Sequence, residues 1–90
     1  MSGTYISLFT DWVSSKRGEL TTSLEGPDPS ARLDIDTDQL IGRITYWSSG
    51  FCDAEIMEVN TENYVYQKHW EHLPPDNFDF EFAEFFRIIG

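Results

Sequence analysis

Residues 40–59 constrain this chain more than any other stretch. Two alternating runs, Leu40–Trp47 and 51–59, flank Ser48-Ser49-Gly50. A three-residue hairpin loop, with Gly50 in the left-handed position of a G1 bulge, sets the register between them. Trp47 then faces Phe51, Tyr46 faces Cys52, Thr45 faces Asp53, Ile44 faces Ala54 and Arg43 faces Glu55. One face collects Ile44, Tyr46, Cys52, Ala54 and Ile56. The other collects Arg43, Thr45, Asp53 and Glu55, with an Arg–Glu pair directly opposite. A two-residue loop would instead set Ile44 against Glu55 and Tyr46 against Asp53. A one-residue slip turns every side chain to the other face, so the apolar pattern selects the three-residue loop.

Further strands extend this hairpin. Residues 31–36 alternate, with Ala31, Leu33 and Ile35 on one side and Arg32, Asp34 and Asp36 on the other, which is the pattern of a half-buried strand. Residues 20–24 read as a short strand, though the pattern leaves open whether it joins the sheet. The loop Gly26-Pro27-Asp28-Pro29-Ser30 separates the two. Beyond a turn at 60–63, Tyr64–Trp70 reads as a fifth strand. Tyr64, Tyr66 and Lys68 share one of its faces and Val65, Gln67 and His69 the other. Both faces have apolar bulk, so alternation does not select the core side.

Amphipathic helices flank the strands. Tyr5, Leu8, Phe9, Trp12 and Val13 form one apolar stripe at helical period. Ser2 or Thr4 is placed to cap its start, Lys16 and Arg17 fall in its last turn, and Gly18 is a stop signal. After Pro74-Pro75, Asn77 is placed to cap a last helix with Asp79 and Glu81 in its first turn. Phe78, Phe82, Phe85, Phe86 and Ile89 form its stripe, and Phe80 falls off it toward solvent. The expected fold is α+β, a single domain over 1–90. It has two layers: an antiparallel sheet of four to five strands, with the N-terminal and C-terminal helices packed on one face.

Charge narrows the function. The formal net charge is −10 and 16% of the residues are aromatic. Disordered acidic tails lack such aromatics. The negative coat repels nucleic acid and anionic membrane and favours basic protein surfaces. No apolar run approaches the roughly 20 residues of a membrane span. The first ten residues lack the basic and apolar regions of a signal peptide, and Cys52 has no partner for a disulfide within the chain. Together these point to the cytoplasm.

No catalytic constellation is complete, and no cofactor or metal is expected. His69 and His72 point to opposite faces of a continuous strand, so they do not converge on an ion. Cys52 falls on the core side, as a small hydrophobe rather than a nucleophile. The run Asp34, Asp36, Asp38 lacks the glycine and bidentate glutamate of a calcium loop. Gly42, inside a strand, marks a bulge or the close approach of a helix. The sharper candidate is the outer sheet face, where Asp34, Asp36, Asp53 and Glu55 surround Trp47 and Phe51. Carboxylates around an aromatic anchor suit a basic protein partner. The plainer reading is a solvated face with one aromatic cross-strand pair. Two other functional readings stand beside binding: a small metal-binding or enzymatic module using His69 and His72, and a structural homodimer.

Several segments are similar to a known family. These are Phe9-Thr10-Asp11-Trp12-Val13, Ala31-Arg32-Leu33-Asp34-Ile35-Asp36-Thr37, Leu40-Ile41-Gly42-Arg43-Ile44-Thr45-Tyr46-Trp47, Ser49-Gly50 with the acidic strand after it, and Phe82-Ala83-Glu84-Phe85-Phe86. In these the chain resembles TriTu-type immunity proteins, small bacterial proteins that neutralise interbacterial toxins. The likeness spans most of the chain, although 69–75 matches no part of the pattern. It implies a cytoplasmic, non-enzymatic protein that binds one cognate toxin; whether as a monomer or homodimer stays open. It transfers no catalytic or binding residues.

Overall fold

A computed structural model of the chain describes residues 3–16, 18–23 and 25–90. The order is α1 (Gly3–Val13), β1 (Glu19–Ser23), β2 (Ser30–Asp36), β3 (Leu40–Trp47), β4 (Cys52–Glu58), β5 (Tyr64–Trp70), a 3₁₀ turn (Pro75–Asn77), α2 (Phe78–Glu81) and α3 (Ala83–Ile89). The five strands form one antiparallel sheet in the order β1-β2-β3-β4-β5, each beside its neighbour in sequence. The fold is α+β, as expected, and the early strand does join the sheet. Leu20 pairs with Leu33 in that edge strand, all five of whose residues are exposed. Leu24 lies outside the described residues.

The central hairpin has the expected register. Tyr46 pairs with Cys52, Ile44 with Ala54 and Arg43 with Glu55, while Trp47 N–H donates to the Phe51 carbonyl at 2.9 Å. Gly50 has φ +100°, the left-handed geometry that the loop demands.

One sheet face is sealed. Ala31, Leu33, Ile35, Ile44, Tyr46, Cys52, Ala54 and Ile56 are all buried against Ile6, Phe9 and Val13 of α1 and Phe78, Phe82, Phe85 and Ile89 of the C-terminal segment. Phe9 stacks on Tyr46 at 5.1 Å between ring centroids and meets Phe78 edge-on at 5.6 Å. The Tyr46 hydroxyl donates to the Leu73 carbonyl, so the polar tip inside the core is satisfied. Gly42 admits the C-terminal helix: a Cβ there would lie 2.9 Å from both Ile89 Cδ1 and Phe85 Cζ.

Three expectations are corrected. First, α1 ends at Val13, with no basic residue in its last turn. Lys16 instead places its ammonium 4.7 Å from the centroid of the Trp12 ring and 5.5 Å from that of Phe86, tying the end of α1 to α3. Ser2, Arg17 and the Thr4 side chain lie outside the described residues. Second, the C-terminal helix is broken at Phe82, whose φ of −100° and ψ of 9° separate α2 from α3, and the Asn77 side chain makes no cap. The short α2 is clamped from both sides. Asp79 accepts the Trp12 indole N–H at 2.9 Å and Glu81 that of Trp70 at 3.0 Å. Phe80, between them, is turned out to 79% exposure. Third, the pairing of β4 with β5 shifts at Ile56/Met57, opposite Tyr66 and Tyr64. That bulge moves Tyr64 to the outer face beside Arg43, Glu55 and Met57, while Tyr66 stays on the helical side and packs on Phe85.

Candidate partner-binding face

The face away from the helices is covered by no described element. Strand alternation delivers five of the six residues expected there, and the hairpin loop delivers the sixth. Asp34 and Asp36 come from β2, Trp47 from the end of β3, Phe51 from the loop, and Asp53 and Glu55 from β4. Phe51 is 44% exposed and Trp47 half-buried. The carboxylates are not a uniform field, however.

Asp34 is neutralised within the sheet. Its two oxygens accept from Arg32 Nε and Arg43 Nε, each at 2.9 Å. Arg43 was expected to pair with Glu55, which does lie opposite in register, but its hydrogen bond goes to Asp34 across the other neighbouring strand. That hydrogen bond raises the pKa of Arg43 above its ordinary value, against partial desolvation. Asp53 pairs with His69 Nδ1 at 2.5 Å, directly across the β4–β5 ladder. Asp36, at the exposed end of β2, and Glu55 have no such partner among the ion pairs of the described residues.

The surface between these groups is indented. Asp28, Trp47, Phe51, Asp53 and His69 line a notch of about 230 Å³. A groove along the β4–β5 ladder shares Asp53 and His69 with it and continues to Glu55 and Gln67. Ile41, Arg43, Glu55, Met57 and Tyr64 line a smaller hollow at the far end. A ridge-and-hollow surface of rings and carboxylates therefore runs across the open face.

Sequence reasoning missed Asp28 and His69 as parts of this surface. Asp28 arrives from the proline loop, held by the Ser48 hydroxyl at 2.9 Å. Nothing local signals a contact that spans so many residues. His69 was legible only with the β5 register in hand, because alternation alone does not fix its face. His72 goes elsewhere, its ring centroid 5.9 Å from that of Tyr5. The two histidines do not converge, and among the described residues no cluster of three or more His, Cys, Asp and Glu is placed to hold a metal. Cys52 is fully buried and desolvation pushes its thiol pKa well up, the opposite of what a nucleophile needs.

The class is thus an α+β domain with one sheet face sealed by helices and the other open, ringed and charge-paired. The chain belongs to the TriTu immunity protein family, whose sequence model matches residues 7–88. No curated protein matches it.

Proposed function

We propose that this chain acts as one cytoplasmic domain over 1–90, without enzymatic activity, that binds a cognate bacterial toxin and covers its functional surface. The family supports an immunity role. The observation that directs the reading to a surface is the open face. It combines the exposed rings of Phe51 and Tyr64, the half-buried Trp47 and contiguous hollows lined by Asp53 and Glu55. Rings supply contact area that slows release, and carboxylates on the face steer a basic partner and speed encounter.

Co-expression of the tagged chain with the products of its genomic neighbours tests this. One neighbour should remain bound through high-salt washing and lose its toxicity. Association should slow as salt rises, and the double reversal Asp53→Lys with Glu55→Lys should slow it further. An on-rate unchanged by that reversal rejects this face as the docking surface. Sedimentation at two concentrations distinguishes a monomeric inhibitor from a homodimer.

A further inference from the structure

The notch at one end of the open face has a chemistry of its own. Its lining combines the rings of Trp47, Phe51 and His69 with the carboxylates of Asp28 and Asp53, around a volume of about 230 Å³. That volume accommodates one long side chain. Both carboxylates already hold hydrogen bonds within the chain. Asp28 accepts from the Ser48 hydroxyl at 2.9 Å and, through its other oxygen, from the Ser49 hydroxyl at 3.5 Å. The Ser48 N–H anchors the same loop by donating to the Pro29 carbonyl at 2.8 Å. Asp53 uses one oxygen for His69, whose ring in turn stacks on Phe51 at 6.0 Å and 28°. Each ionised carboxylate has about four acceptor positions, so both retain capacity for further donors.

Among the described residues that line the notch there is no lysine or arginine. Among the described residues, no lysine or arginine pairs with Asp28 or Asp53. Arg32 and Arg43 bind Asp34, Lys68 binds Glu81, and Arg87 binds Glu84. Lys16 lies over Trp12, on the helical side. Two carboxylates beside aromatic walls suit a guanidinium better than an ammonium. Its plane stacks on rings, its five donors reach acceptors on two sides, and it sheds water more readily.

We propose that this notch receives an arginine side chain of the toxin, stacked on its rings and hydrogen-bonded to Asp28 and Asp53. The assignment rests on the reading that the open face docks the toxin. It makes Trp47, Phe51, Asp28 and Asp53 determinants of which toxin is recognised.

The test is an NMR titration of the full chain with Nα-acetyl-L-arginine amide, reading the Trp47 indole and His69 ring resonances. The lysine and norleucine analogues serve as comparison probes. Saturable shifts are expected with the arginine probe, weaker ones with lysine and none with norleucine. Asp53→Asn and Trp47→Ala should each weaken the arginine response by roughly fivefold or more. Asp53→Asn keeps the test valid if the tryptophan variant unfolds. No saturable shift, an equal response to norleucine, or a stronger one to lysine overturns the assignment. The captured toxin separates this idea from the one beneath it. A toxin retained equally by the wild type and Asp53→Asn refutes the arginine notch and leaves docking intact. A wild-type chain that retains no neighbour fails the docking reading whatever the titration gives.

Discussion

The two faces of one sheet are built from alternate residues of the same strands, yet they obey different constraints. On the inner face Leu33, Ile44, Tyr46, Cys52 and Ile56 are at most 1% exposed. Volume and dryness decide what fits there. On the outer face polar tips find one another: Asp34 holds two guanidiniums and Asp53 a histidine. Exposed pairs of that kind are worth little to stability. The inner face is therefore fixed by the fold. The outer face is loosely held by folding energetics and free to answer to a partner.

A matched pair of aromatic truncations strains this contrast most. Phe9 is fully buried among Tyr46, Phe78 and Phe82. Phe9→Ala should cost about 3–5 kcal/mol in urea unfolding. Phe51→Ala, on the outer face, should cost no more than about 1 kcal/mol. Comparable losses would mean that the outer rings form a second core, and the distinction between the faces would collapse.

The two faces were also unequally legible in the sequence. Period-two alternation and the three-residue loop fix the inner set, because only one register buries Ile44, Tyr46 and Ile56 together. The shift opposite Ile56/Met57 was hidden, since Tyr64 and Tyr66 suit either face and either register. The break at Phe82 was hidden for another reason. Phe78, Phe82, Phe85 and Ile89 lie on one continuous helical stripe, but the segment is pinned by indoles of Trp12 and Trp70 that its own spacing does not reveal. On the outer face the membership of Asp34, Asp36, Trp47, Asp53 and Glu55 followed from alternation, and that of Phe51 from the hairpin loop. Their charge state did not. Which carboxylate Arg43 chooses depends on side-chain reach across two neighbouring strands, not on pairing alone.

Alkaline unfolding sharpens the contrast from the inner side. Desolvation raises the pKa of Tyr46, Cys52 and Tyr66, so all three hold their protons more tightly in the folded chain. In the unfolded chain tyrosines release theirs near pH 10 and the thiol near 8.5, by about their ordinary values. Above those points the unfolded state binds fewer protons than the native state, so stability falls as pH rises. Each group contributes at most about 1.4 kcal/mol per pH unit. Urea midpoints should hold between pH 7 and about 8 and then decline, more steeply beyond about pH 10. In Tyr46→Phe, where no phenol remains to ionise at that position, the decline should be shallower. A decline of unchanged slope would remove Tyr46 as a source of the alkaline sensitivity and leave it to Cys52 and Tyr66.

The smallest expected effect tests the outer side. Asp34→Asn removes the charge that holds Arg32 and Arg43, whose side chains are 43% and 46% exposed. Solvent screens both pairs, so stability should fall by less than about 1 kcal/mol. Binding should change by more than that small loss suggests. Two guanidiniums are released on a face proposed to meet a basic toxin, and Arg43 becomes free to turn to Glu55, which lies opposite it in register. The substitution makes the face more positive by one charge, and Arg43 turned toward Glu55 masks a carboxylate that had no ion-pair partner. Association should therefore slow while the unfolding midpoint barely moves, and low salt should widen the difference in rate. A loss of several kcal/mol in stability would show that the Asp34 cluster braces the sheet, making the outer face structural after all. Unchanged stability with unchanged association would mean that the cluster serves neither the fold nor the partner, and would move the docking surface away from β2 toward the hollows along β4 and β5.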